Sequence, residues 1–267
     1  MRYVRIITEG TGPAGAFGIV RADGVIELLD GDPLCGARRT GGWCHLKDVR
    51  RWLPPVNPPN IFALGMNYES HSAETKTQQP AEPVIFLKAT SALIGHNEAI
   101  VLPKEAPDEV DYEAELTVVI GHRARNVPPD RAGDYIFGYT CGNDVSARDC
   151  QMRRDRQWAR AKSFDTFCPL GPWTETEFDP ADKRVICRLN GREMQNQSTS
   201  DMFFKVPEII AYLSRNFTLL PGTVIMTGTP AGVGFARRPP VFLRPGDRVE
   251  VEVEGIGVLA NSVAREG

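Results

Sequence analysis

The chain has 267 residues, 42% of them hydrophobic and 24% charged, which allows a sizeable core and excludes a disordered or collagen-like polymer. Its 31 basic and 34 acidic side chains leave a net charge of −3. That balance offers no basic footprint for nucleic acid or an anionic membrane surface, so small or neutral partners are expected.

The N-terminus, "MRYVRIITEG", lacks an apolar stretch of signal-peptide length, and no later run approaches the roughly 20 apolar residues that span a bilayer. A cytoplasmic protein is therefore expected. Residues 3–8 and the stretch "GAFGIVRADGVIELL" predict short strands, the second pair joined by an Asp-Gly turn at Asp23 and Gly24. They make a small β-rich N-terminal domain, 1–55. In "WLPPVNPPN", Pro54, Pro55, Pro58 and Pro59 break any helix and stiffen the chain into an extended connector.

A larger domain, 56–267, follows. Its strand candidates are "NIFALG", "PVIFLK", "AELTVVIG", "IFGYTCGND", "RVICRLNG", "TVIMTG" and "RVEVEVEG", separated by Gly, Pro, Asn and Asp. One helix is predicted in "VPEIIAYLSRNF", with Pro207 near its start and Ile209, Ile210 and Leu213 on one face. The fold class is α+β, mostly β. No G-x-G-x-x-G opens a helix after a strand, so a dinucleotide fold has no support. The six cysteines never form C-x-x-C, which points to buried free thiols over a zinc site or a disulfide frame.

Two stretches alternate glutamate with apolar residues and call for different readings. In "RVEVEVEG", Glu250, Glu252 and Glu254 alternate with valine for three cycles, the pattern of a half-buried antiparallel strand with a solvated polar face. In "DYEAELTVVIG", Glu113 and Glu115 share a strand face with Thr117 and Val119, and the other face is Ala114, Leu116, Val118 and Ile120. Both faces turn apolar within two residues of the acids, as in a strand covered on both sides. Two like charges buried there require a cation. Asp144, in the Gly-Asn-Asp turn of "CGNDVSARDCQ", supplies a third carboxylate downstream. Three oxygen donors with no His or Cys cluster nearby favour Mg²⁺ or Mn²⁺, then Ca²⁺, over Zn²⁺.

In this order, "GMNYESHSAE", "PVIFLK", "DYEAELTVVIG", "GYTCGNDVSARDCQ", "WARAKSFDTFCPLGP" and "MTGTPAGVG" resemble the fumarylacetoacetate hydrolase family, in particular its smaller acylpyruvase-like members, over about residues 60–263. The resemblance implies a catalytic domain of the mixed β-sandwich roll type, normally a homodimer, with a divalent metal on Glu113, Glu115 and Asp144. It implies that Lys162 of "AKSF" and Gln151 after "SARD" face a metal-bound substrate. Thr229 of "TGTP" then matches a substrate-carboxylate contact, and His71 and Glu74 match an H-x-x-E in a lid segment. Gly228, Gly232 and Gly234 allow backbone N–H groups to approach an anion.

A 2-oxo acid can chelate a divalent ion through its carboxylate and 2-oxo oxygen, which stabilises an enolate. One helical turn would align Glu74 with His71 and raise the basicity of the imidazole, suiting it to activate water. The polar stretch "ESHSAETKTQQPAEP" around them reads as a lid over substrate. His45, His96 and His122 have no such partner and are read as structural, and Arg148, which could pair with Asp149, Asp144 or a substrate, is read as a supporting structural residue. Where several acylpyruvase-like members carry Arg before "NY", this chain has Met66, which removes a contact to a distal anionic group of the substrate.

The leading expectation is a metal-dependent hydrolase that cleaves a C–C bond in a 2,4-dioxo acid of the acylpyruvate or fumarylpyruvate class. The alternatives use the same enolate, in isomerisation or tautomerisation of hydroxy-dienoates or in decarboxylation of oxaloacetate. A non-catalytic binding protein on the same fold is the third reading.

Overall fold

The computed structural model describes all residues from Met1 to Gly267. Every candidate strand from the sequence forms, and two sheets share one core. The larger sheet is organised around Ala114–Ile120, in which all seven residues are buried. It pairs antiparallel with Ile136–Asn143 on one side, Glu115 opposite Gly142, and with Val224–Met226 on the other. Beyond Val224–Met226 the sheet continues through Ile61–Gly65, which is parallel to it, to Val84–Lys88 at the edge.

In the other direction Ile136–Asn143 leads to Cys168–Glu175. Arg2–Ile7 joins there, Arg2 opposite Glu175, so the N-terminal strands Ala16–Val20, Val25–Leu29 and Arg39–His45 extend the same sheet. The proline connector is seated on the protein, with Pro55, Val56 and Pro58 buried.

The second sheet runs Arg192–Ser198, Arg184–Leu189, Arg248–Val253, Gly257–Arg265 and Ala99–Leu102. Val249, Val251 and Val253 are buried in one core with Leu116 and Val118 of the first sheet. The glutamates between those valines lie on the outer face: Glu252 pairs with Arg188 at 2.6 Å across the strands, and both side chains are about a third exposed. A partly exposed ion pair adds little to stability. Glu252→Ala is expected to change the unfolding free energy by less than about 1 kcal/mol and to leave any turnover unchanged, as checked by urea denaturation and assay.

Two α-helices form. Val206–Asn216 is the predicted amphipathic one, burying Ile209, Ile210 and Leu213. Glu69–Thr75, unassigned in the sequence, begins after Met66, whose φ of 55° turns the chain out of Ile61–Gly65. The cysteines are free, and four are buried, whereas Cys35 is exposed and Cys44 partly so. No helix is long and apolar enough to cross a membrane.

Candidate active site

Glu113, Glu115 and Asp144 converge: one oxygen from each lies within 4.8 Å of the others, and all three residues are buried. The pairing of strands brings them together. Glu113 sits just before the strand, not within it as the sequence reading has it, because Ala114 is the first paired residue. Its amide donates to Asn143 Oδ1, and its carbonyl accepts from Asp144 N at 2.9 Å, which sets the two acids side by side.

Three buried cations surround them. Lys162 Nζ donates to Glu113 Oε2 at 2.6 Å and to Asp144 Oδ2 at 2.7 Å. Lys88 Nζ donates to Asp144 Oδ1 at 2.5 Å and to the Lys162 carbonyl. Arg148 Nη2 lies 2.7 Å from Glu113 Oε1 and 2.9 Å from Asp111 Oδ2, as ion-pair contacts more than aligned hydrogen bonds. Arg148 Nε donates to Asp111 at 2.9 Å. Arg148 therefore pairs with Asp111 and Glu113, in place of the Asp149 and Asp144 expected from sequence, while Asp149 pairs with Arg154.

The charges explain the protonation pattern. Burial works to raise the Glu113 carboxyl, but Lys162 and Arg148 outweigh it and hold Glu113 well below the usual carboxylate range. Glu115 goes the other way: burial first, then Asp144 and Glu113, push it well above its ordinary value. Asp111, Glu113 and Asp144 each lie against a buried basic side chain, Arg148, Lys162 or Lys88. Burial pulls Lys162 down, yet Asp144 and Glu113 more than restore it, so it stays charged. Removing one cation breaks that balance, and Lys88→Met is expected to destabilise the fold by about 3–5 kcal/mol in urea denaturation. A loss below about 1 kcal/mol would mean that Lys88 does not hold Asp144.

Glu115 Oε2 accepts from Gly228 N at 2.8 Å, but Oε1 is buried with no partner. A buried carboxylate oxygen without a donor is costly, and a cation coordinated there would remove the cost. The residues thus fit a divalent ion held by Glu113, Glu115 and Asp144, and the all-oxygen donor set suits a hard ion.

His71 and Glu74 lie on the Glu69–Thr75 helix, where His71 Nδ1 is 2.9 Å from Glu74 Oε1. Glu74 is in turn held by the Gly232 amide, 3.0 Å from each of its oxygens. The helix is tied down from below by Asp201, which accepts from Ser70 N and Oγ. This part of the expected lid is thus an anchored wall.

The glycine loop corrects one expectation. The anions its amides approach are the protein's own: Gly228 N serves Glu115, Gly232 N serves Glu74, and Gly234 N serves Asp111. Gly228 is therefore a support for a candidate metal ligand, and its N–H is not available to a substrate. Its φ of 96°, with a Cβ position 2.9 Å from Asn67 Cβ, explains why glycine stands there. Thr229 is similarly committed, since its hydroxyl donates to Ala114 O at 2.9 Å and accepts from Gln195 Nε2 at 2.7 Å.

A cleft of about 330 Å³ opens onto this cluster and is lined by His71, Glu113, Arg148, Gln151, Lys162 and Thr229 among others. Gln151 Oε1 accepts from Arg148 Nη1 at 2.7 Å, which leaves its amide N–H groups for a bound molecule. His96 lies elsewhere, where burial and then Arg248 lower it to about 4 while its Nδ1 accepts from Ala260 N.

Sequence reasoning missed Lys88, Asp111 and Gln195. Lys88 ends an apolar run in a partly exposed edge strand where it alone is buried, and a buried lysine requires an anion. Asp111 has the parity of Glu113 and Glu115, so it was readable as a third acid on that side. Gln195, whose Oε1 accepts from Ala114 N, gave no local signal.

A family model described as "Fumarylacetoacetate (FAA) hydrolase C-terminal" matches residues 60–264, and one described as "Rv2993c-like, N-terminal" matches residues 1–55. The chain belongs to the fumarylacetoacetate hydrolase family. Within this family, the Bos taurus protein named oxaloacetate tautomerase FAHD2A, mitochondrial, is 46% identical over 220 residues, 81% of this chain and 70% of that protein. The solved structure named 5-carboxymethyl-2-hydroxymuconate delta-isomerase from Mycobacterium smegmatis is 44% identical with a TM-score of 0.88, covering all of both chains. A structure of fumarylacetoacetate hydrolase from Exiguobacterium antarcticum is 37% identical with a TM-score of 0.88, also over both chains in full.

Proposed function

We propose that the protein transfers a proton between the 2-oxygen and C3 of a 2-oxo acid, as an enol–keto tautomerase or double-bond isomerase. This reading takes the alternative of the sequence analysis over C–C hydrolysis. The observation that carries it is the His71–Glu74 pair on the wall of a cleft that reaches Glu113, Arg148 and Lys162 of the buried cluster. The relatives named for tautomerisation and isomerisation share 46% and 44% identity with the chain, and the one named for hydrolysis 37%.

A divalent ion on Glu113, Glu115 and Asp144 would supply a Lewis acid for the carboxylate and 2-oxygen of such a substrate. His71 exchanges the proton. Its Nδ1 is occupied by Glu74, which leaves Nε2 as the nitrogen that takes a proton from one substrate atom and returns it to another. Glu74, fixed by Gly232, orients the ring and stabilises its protonated form. Lys162 and Arg148 place positive charge beside the oxygen that becomes anionic, and Gln151 donates to the same region. The same pair of side chains would also activate water, and fumarylacetoacetate-type hydrolysis is the second reading, favoured by the Exiguobacterium antarcticum likeness.

The test follows enol-oxaloacetate with Mg²⁺ or Mn²⁺ by loss of enol absorbance, with pyruvate measured in parallel. Accelerated ketonisation without pyruvate supports the proposal. Pyruvate from acetylpyruvate with no acceleration of ketonisation would move the assignment to hydrolysis.

A further inference from the structure

The cleft has two chemically different ends. Its floor is charged, whereas its outer wall carries Met66, Phe86, Met152 and Trp158, with Thr75 and Thr77 beside them. That wall is built into the fold. Gly65 ends the Ile61–Gly65 strand, and a Cβ there would overlap the Trp158 ring, so the missing side chain is what lets the indole lie against the strand. Trp158 meets Phe86 edge-on, with ring centroids 5.6 Å apart at 75°. The Trp158 carbonyl accepts from Lys162 N at 3.0 Å, so the indole and the lysine ammonium ride on one turn and face the same cleft. Met152 is 59% exposed at the rim, an apolar side chain that the fold itself does not cover.

No lysine or arginine beyond Lys162 and Arg148 lines the cleft. Of the basic side chains lining the cleft, Lys162 and Arg148 are paired with Glu113, Asp144 and Asp111, and the His71 ring contacts Glu74. Of the arginines that flank Met152 and Trp158, Arg153 is engaged with Glu109, Arg154 with Asp149 and Arg160 with Asp155, while Arg156 is exposed without an ion pair and does not line the cleft. A carboxylate against this wall would lose hydration without gaining a counter-charge, while an aromatic or alkyl group would gain by burial.

We infer that the substrate is a mono-anionic 2-oxo acid with an apolar, preferentially aromatic, tail, and that Trp158, Phe86 and Met152 determine this specificity. The inference rests on the proposed reading of the floor as a 2-oxo acid site. Binding and turnover separate the two claims.

Calorimetry with Mg²⁺ present compares phenylpyruvate, which has an aryl tail, with oxaloacetate, which has a carboxylate tail. Wild-type protein is expected to bind phenylpyruvate at least about tenfold more tightly, the order of discrimination an apolar pocket gives. Trp158→Ala is expected to erase most of that ratio, and Met152→Arg, at an exposed position that tolerates the change, to shift it towards oxaloacetate. Oxaloacetate bound as tightly as phenylpyruvate, a ratio unchanged in both variants, or no binding of either acid would overturn the inference. Preferred binding of phenylpyruvate, with no acceleration of enol decay for either acid, would instead sustain the pocket assignment and remove the tautomerase reading.

Discussion

Glu115→Ala is expected to lower the affinity for Mn²⁺ by more than about 100-fold, beyond the loss typical of a supporting residue, and to abolish ion-supported turnover. Glu115 Oε1 is the one carboxylate oxygen of the triad that is buried with no partner, while Glu113 and Asp144 are already saturated by Lys162, Lys88 and Arg148. The oxygens of those two acids already have basic partners; Glu115 Oε1 has none. Calorimetric titration of Mn²⁺ checks the result, and an affinity within about threefold of wild type, well short of the loss typical even of a supporting residue, would show that the ion sits elsewhere or is not bound.

The same residue sets a pH dependence. Burial, with Asp144 and Glu113 behind it, holds Glu115 neutral well above the usual carboxylate range. Ion uptake needs the carboxylate, so uptake releases a proton, and affinity falls as pH is lowered. Titrations in buffers of different ionisation enthalpy read that proton directly.

His71→Ala should reduce kcat by about 10²–10⁴-fold, the contribution of a positioned acid–base group, and leave Mn²⁺ binding within error of wild type. The His71 ring touches none of the three carboxylates through a hydrogen bond, and its one partner is Glu74. Glu74→Gln should fall between, because an amide no longer stabilises the protonated imidazole although it can still accept from Gly232 N. Retained turnover in His71→Ala would remove the imidazole from proton transfer and leave Lys162 as the nearest alternative.

Much of this site was legible in one dimension. Burial on both faces of "AELTVVI" distinguished Glu113 and Glu115 from Glu250, Glu252 and Glu254, and the structure places the first pair at 5% and 0% exposure and the others on an outer face. The H-x-x-E spacing anticipated the contact between His71 and Glu74, since residues three apart on a helix are neighbours. The glycine loop misled because a backbone N–H facing an anion looks the same in sequence whether the anion is a ligand or a side chain of the chain itself. Gly228, Gly232 and Gly234 face Glu115, Glu74 and Asp111, which precede them by 113, 158 and 123 positions.

The sequence by itself determined the strand pattern, the Glu113–Glu115 pair and the His71–Glu74 pair, because each depends on periodicity or spacing within a short segment. The tertiary structure alone decided which cations neutralise the triad, which oxygen is left without a donor, and that Trp158 lies against Gly65 to line the cleft with apolar surface. Those outcomes depend on long-range pairing between strands and loops, where one residue's partner is set by the register of the sheet and not by its neighbours in the chain.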